Sequence, residues 1–293
     1  MILVGEYLKQ RFGCKVYKIA LNGGFTCPNR DGTIDTRGCI FCSAGGSGEF
    51  AGDPVLNITK QIEAGKKRLG SKISDGKYIA YFQAYTGTYA PVKRLRKMYL
   101  EAINHPDVVA ISIATRPDCL PDDVLDLLGQ LNKITPVWVE LGLQTIHERT
   151  AEYIRRGYPL SVFTEAVKKL KTRDIEVITH VILGLPGETV TDMIDTVRFV
   201  CSIGSDGIKL QLLHILKGTD LGREYAAGKI KVLSEDEYIS ILKECAKYIP
   251  DNVIVHRLTG DGDKKILTAP LWSADKKHVW NRIKNEVLET SDK

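Results

Sequence analysis

From residue 78 onward the hydrophobic positions alternate between two rhythms. Short β-branched and aromatic runs, "YIAYFQAY" (78–85), "VVAISIATR" (108–116), "VWVELGLQ" (137–144), "VITHVILGL" (177–185) and "IKLQLLHIL" (208–216), predict strands. "KVYKIAL" (15–21) is a sixth. Between them, residues 57–69, 91–104, 121–131, 161–171 and 189–202 carry apolar side chains at helical spacing. Pro91 and Pro121 suit first helical turns, and Ser161 suits an N-cap.

Strand and helix alternating in this way imply a parallel sheet joined by right-handed crossovers. Six βα units between about residues 15 and 216 predict an α/β fold, a partial (β/α)6 TIM-like barrel, because the later sequence leaves the rhythm. Residues 234–249 read as one more helix and 253–258 as a strand. The expected organisation is a barrel over 1–216, including a loop at 26–48, and a C-terminal extension over 217–293 that packs on it.

Composition narrows the class. With 43% hydrophobic and 26% charged residues and no long apolar run, the chain reads as globular, with no membrane span. The start, "MILVGEYLKQRFG", is broken by Glu6 and Lys9 too early for a signal peptide, so a cytoplasmic location is expected. Seven cysteines, an odd number in a chain large enough to bury its own core, argue for reduced thiols. The net charge of +5 permits a polyanionic partner without requiring one. Basic runs at 66–68, 93–97, 168–173 and 275–284 are solvated faces or the edges of such a contact.

"TCPNRDGTIDTRGCIFC" (26–42) follows the first strand, so it belongs at the carboxyl ends of the strands, where ligands bind in this architecture. Eleven residues separate Cys27 from Cys39, and two separate Cys39 from Cys42. Three readings compete. The cysteines are unrelated; or they hold a zinc ion, although the loop offers no fourth Cys or His; or they hold an iron–sulfur cluster with one iron open to a ligand.

The three cysteines, with Phe41 before the last, resemble the radical S-adenosylmethionine (SAM) superfamily. The usual first spacing there is three. "QAYTGTYAP" (83–91), "VELGLQT" (139–145) and "VILGLPGET" (181–189) resemble its second-, fourth- and fifth-strand motifs, which contact methionine, ribose and adenine of SAM. "TRPD" (115–118), "RRGY" (155–158) and "LKGTDL" (216–221) follow in the order seen in the radical SAM domain of the Elongator catalytic subunit. "CPNRDGT" and "HRLTGDG" (256–262) are similar to the bacterial YtqA/YhcC family.

The resemblance implies a [4Fe-4S] cluster on Cys27, Cys39 and Cys42 and reductive cleavage of SAM to a 5'-deoxyadenosyl radical. It implies tRNA as substrate, with the C5 side chain of wobble uridine remodelled from carboxymethylaminomethyl toward aminomethyl. An electron donor of the flavodoxin or ferredoxin type goes with it. Phe41, Gln83, Thr86, Arg116, Glu140, Gln144, Arg156 and Leu185 become candidate cofactor contacts, and His180, His214 and Lys217 candidate catalytic residues. Gln211 is a further polar residue inside an apolar run, where it must find a partner or a ligand.

Two departures stand out. Ala114 occupies the place where Elongator-like and coproporphyrinogen oxidase-like proteins carry Glu, and His180 stands where the latter carry Asp. Residues 217–293 leave no room for an acetyltransferase domain. Two other functions remain open: a radical SAM enzyme on a small metabolite such as a porphyrin precursor, and a zinc-bearing RNA-binding module without catalysis. Oligomeric state is not legible.

Overall fold

Six parallel strands come in chain order, β1 (Val16–Leu21), β2 (Lys77–Phe82), β3 (Val108–Thr115), β4 (Val137–Gln144), β5 (Glu176–Leu183) and β6 (Gly207–Leu212), each paired with the next. They form a curled half-barrel in a computed structural model that describes residues 1–70, 76–260 and 262–289. After the short β7 (Ile215–Leu216), β8 (Ile254–Arg257) pairs in parallel with β6 and gives the main sheet a seventh strand. β9 (Leu267–Ala269) pairs antiparallel with β7. The region after residue 217 thus contributes a strand to the sheet itself as well as packing on it.

Period-two burial explains the layering. Ile19, Phe82, Ile111, Val139 and Val177 face outward into the main apolar core, under helices α2 (Ile58–Leu69), α3 (Val92–Ile103), α4 (Asp122–Asn132), α6 (Leu160–Lys171) and α7 (Val190–Ser202), numbered in chain order with α1 and α5 below. The inner face is mostly polar above an apolar floor. That floor is made by Ile79, Ala110, Trp138 and Ile178, closed by Leu8 of α1 (Val4–Phe12). α1 was not evident in the sequence.

Helix starts differ slightly from expectation. Pro91 and Pro121 are N-caps, one position before the first turn, and α6 begins at Leu160 after Pro159, so Ser161 lies inside its first turn. The prolines set extended backbone immediately ahead of each helix. α5 (Glu148–Tyr153), α8 (Asp220–Ala226), α9 (Glu235–Ala246) and α10 (Lys276–Ile283) complete the set of α-helices among the described residues. Of these, only α9 was expected; its Ser234–Glu237 capping box holds the start.

The basic runs divide between the two ends of the barrel. Lys66 bonds Asp107, just before β3, and Lys171 bonds Asp206, just before β6, so both sit at the amino ends of the strands, away from the cysteine loop. Arg94 donates to the carbonyls of Gly23 and Gly24 after β1, and Lys276 lies over the Phe50 ring at 5.5 Å, both on the cysteine side. The runs at 66–68 and 168–173 are therefore not edges of a contact at the cysteine side: a run closing a helix lies at the far end of a βα unit.

Candidate active site

The long spacing between Cys27 and Cys39 is an excursion that returns to its start. Pro28 carbonyl accepts from Ile34 N–H at 2.8 Å, and Asn29 carbonyl accepts from Gly38 N–H at 2.7 Å. The chain between them folds out as a turn, leaving Cys27 and Cys39 beside the same pocket. Cys42 N–H then donates to Cys39 carbonyl at 3.0 Å, a tight turn that brings in the third thiol.

Asn29 organises this loop from within. Its buried amide donates to Arg155 carbonyl at 2.8 Å and to Cys39 Sγ at 3.5 Å. Gly157 follows in the partner segment with φ +81°, where a Cβ would lie 2.7 Å from Asn29 Oδ1. Glycine is required there both for the backbone angle and for the close approach. Arg30 donates to the carbonyls of Cys42 and Ser43 at 2.9 and 2.6 Å, placing a guanidinium beside the thiols. Ile40 N–H bonds Ile154 carbonyl, and Ile40 carbonyl accepts from Leu221, so the loop is tied to α5 and α8 as well.

Burial pushes the Cys39 thiol up to about 11, and burial likewise raises Cys42. Such thiols ionise when a cation binds them. Among the described residues no group of three or more His, Cys, Asp or Glu converges on a point fit for a single metal ion. The three thiols instead border one shared space, an arrangement that suits a cluster larger than one ion.

A second fit comes from Gln144. It ends β4 with φ +70°, an uncommon backbone for a residue with a side chain, and its buried Oε1 has no hydrogen-bond partner among the described residues. A strained residue holding an orphan acceptor against the pocket is built for a donor that arrives with a ligand. Arg156, 2% exposed, anchors this turn by donating to the carbonyls of Leu143, Thr145 and Tyr158 and to Glu148. Arg116 pairs with Asp118 at 2.6 Å and lies over the Tyr158 ring at 5.1 Å. Gln83 donates to Ser47 carbonyl at 2.8 Å, holding the distal part of the cysteine loop over β2.

Below the thiols lies a buried charge network. The Glu140 carboxylate, fully buried, accepts from Lys18 Nζ and Ser112 Oγ on Oε1, each at 2.7 Å, and from His180 Nε2 at 2.7 Å and Lys209 Nζ on Oε2. Gln211 Nε2 lies 3.2 Å from His180 Nδ1, which fixes the tautomer: Nδ1 accepts and Nε2–H donates to Glu140. Burial, reinforced by Lys209, pushes His180 down to about 4, so its imidazole is neutral at physiological pH. Lys18 and Lys209 help hold the Glu140 carboxyl well below its ordinary range despite burial. Above this layer Ala114 and Gly142 line the pocket with almost no side chain, and their smallness leaves it open. A Glu at 114 would fill that space.

Of the residues singled out from the sequence, Cys27, Cys39, Cys42, Phe41, Gln83, Thr86, Arg116, Glu140, Gln144, Arg156, His180, Gln211 and His214 all border this pocket. Leu185 lies behind it, buried in a cluster with Ile40 and Ile154 against which Phe41 packs. Lys217 is exposed outside the lining, where its N–H bonds Ile266 carbonyl. Sequence reasoning missed Asn29, Arg30, Lys18, Lys209 and Arg257, three of which stand in strands it had found.

A half-barrel that gathers three half-buried thiols over the carboxyl ends of its strands is the architecture of an enzyme working through an iron–sulfur cluster. Residues 32–200 match the radical SAM superfamily model, and 205–289 match the radical SAM C-terminal domain. The chain belongs to the radical SAM superfamily and, within it, to the family of YtqA and YhcC. Its cofactors are accordingly a [4Fe-4S] cluster and SAM.

YtqA of Bacillus subtilis (strain 168) is 49% identical over 281 residues, 96% of this chain and 87% of that protein. A tRNA uridine(34) acetyltransferase of Methanocaldococcus jannaschii is 28% identical over 156 residues, 52% of this chain and 28% of that protein. The solved Methanocaldococcus infernus Elp3 with its N-terminus deleted superposes with a TM-score of 0.68 at 18% identity, over 92% of this chain and 63% of that one. That likeness is one of fold. No helix among the described residues is long and apolar enough to cross a membrane.

Proposed function

We propose that this radical SAM enzyme remodels the C5 side chain of tRNA wobble uridine, from carboxymethylaminomethyl toward aminomethyl. The observation that carries the reading is the placement of cations at the mouth of a radical SAM pocket: Arg30, Arg94 and Lys276 stand on the cysteine side, where a polyanion would approach. An anticodon loop presents unstacked bases that can be turned into such a pocket. The partial match to an acetyltransferase named for tRNA uridine 34 supports the same substrate.

In this reading Cys27, Cys39 and Cys42 hold the cluster. When bound, the cluster and SAM supply one-electron chemistry able to act at an unactivated C–H bond. Asn29 holds the Cys39 side of the loop, and Arg30 offsets the thiolate charge near Cys42. Gln144 Oε1 accepts from a ribose hydroxyl, Arg156 fixes the turn that aims it, and Gln83 and Thr86 border the same space. The apolar cluster of Ile40, Ile154 and Leu185, with Phe41 packed against it, keeps one wall of the pocket dry. A flavodoxin- or ferredoxin-type donor delivers the electron.

The test is anaerobic reconstitution with iron and sulfide, then dithionite, SAM and bulk tRNA from cells lacking the protein. The expected result is tRNA-dependent 5'-deoxyadenosine together with loss of the carboxymethylaminomethyluridine mass. SAM cleavage with tRNA masses unchanged would move the substrate to a small metabolite such as a porphyrin precursor.

A further inference from the structure

The floor of the pocket holds more positive than negative charge. Lys18 and Lys209 both pair with the single carboxylate of Glu140, and the neutral His180 also donates to it. Arg257, at the end of β8, lines the same pocket and makes no hydrogen bond or ion pair among the described residues. It stands opposite Lys209 in the β6–β8 register, which places it beside this layer and not at a remote rim. A guanidinium facing a half-buried cavity with five donors and no acceptor is a recognition element awaiting a planar anion.

We infer that Arg257, seconded by Lys209, binds the carboxylate of the substrate at the floor of the pocket. The inference rests on the reading above, in which the uridine side chain ends in a carboxymethyl group. The geometry favours a carboxylate on the substrate over a backbone phosphate. Lys209 is buried and Arg257 half-buried within the pocket, a place suited to a side chain on an extruded base more than to the polynucleotide backbone. Ala114 and Gly142, the two small residues between thiols and floor, leave the passage such a side chain needs. Glu140 then has a defined part: it keeps Lys209 and Lys18 in place while leaving the surplus charge to the ligand.

Reconstituted enzyme is titrated with two anticodon stem-loops, one carrying carboxymethylaminomethyluridine and one methylaminomethyluridine at the wobble position. They differ by the carboxylate alone. Wild type is expected to bind the first more tightly by about ten-fold or more, the worth of one charge-assisted hydrogen bond. Arg257→Gln should bring the ratio close to one, and Arg257→Lys should restore part of it. Among the described residues Arg257 has no partner to orphan, and the lysine variant separates lost charge from lost fold. Equal binding of the two loops by wild type overturns the subsite and leaves the tRNA reading standing. No binding of either loop overturns the tRNA reading and removes this occupant with it. SAM affinity is measured in parallel: if Arg257→Gln weakens SAM as much as it weakens the carboxylate-bearing loop, the arginine serves the cofactor and the inference fails.

Discussion

His180 Nε2 stands 2.7 Å from Glu140 Oε2, and the imidazole is neutral while the carboxylate is charged. The pair is therefore a hydrogen bond from a neutral donor, with the counter-charge coming from Lys18 and Lys209. Because burial depresses His180 to about 4 from an ordinary 6.5, the unfolded chain takes up this proton as pH falls through 6.5 and the native chain only near 4. The stability involved is fully present above 6.5 and is lost as pH falls toward 4, an effect on the order of 3 kcal/mol. Urea unfolding at steps between pH 7 and pH 4.5 should show this slope, and His180→Asn should flatten it.

Glu140→Gln removes the counter-charge of Lys18 and Lys209 at the floor; burial already pushes Lys209 down to about 7, so it gives up its proton in the variant and Lys18 is left uncompensated. A loss of about 3–5 kcal/mol in unfolding free energy is expected, as for other broken buried pairs. Denaturation of the variant at pH 7 checks this. A change under about 1 kcal/mol would mean the lysines reach water on their own.

Arg156→Ala removes a guanidinium that satisfies three carbonyls and Glu148 around the end of β4. Stability should fall by about 2–5 kcal/mol, since buried acceptors are left unpaired. Arg156→Lys should recover little of it, because an ammonium cannot span the same acceptors.

Asn29→Ala cuts the bonds that join Cys39 to the Arg155 carbonyl segment. Iron retention against a chelator should drop by about ten-fold or more, as it does when a residue orienting a metal ligand is lost. Far-UV circular dichroism should stay unchanged. Cys14→Ser, outside the pocket, should retain iron like wild type.

Charge reversal should separate the two ends of the barrel. Arg94→Glu and Lys276→Glu lie on the cysteine side and should weaken tRNA binding and reduce its salt slope by about one each. Lys66→Glu and Lys171→Glu lie at the opposite end, and should leave the slope as it is. Equal effects at both ends would point to nonspecific attraction.

The strands were legible because a parallel sheet covered by helices demands continuous apolar runs, and 137–144 coincides with β4 residue for residue. Spacing singled out the thiol triplet but left three readings open, and the later strand motifs were needed to choose among them. Lys18 and Lys209 were not seen, although the criterion that picked out Gln211, a polar residue in an apolar run, applies to them equally. Lys209 is two places before Gln211 on the same face of β6. α1 escaped because its apolar positions, Val4, Leu8 and Phe12, make one stripe too short to separate from a loop. Arg257 escaped because nothing in "VIVHRL" says that this strand joins β6; pairing between distant segments is a property of the fold.

β8 gives the pocket a half-buried arginine that is unpaired among the described residues, and gives β6 its outer neighbour. A ribosome delivers the cysteine loop first and Arg257 much later. Throughout that interval the thiols stand beside a sheet whose last edge is bare and a pocket without one of its lining cations. The order of synthesis thus runs from the thiol-bearing loop to the arginine at the far edge of the sheet, and the lining of the pocket is complete only once β8 has joined β6.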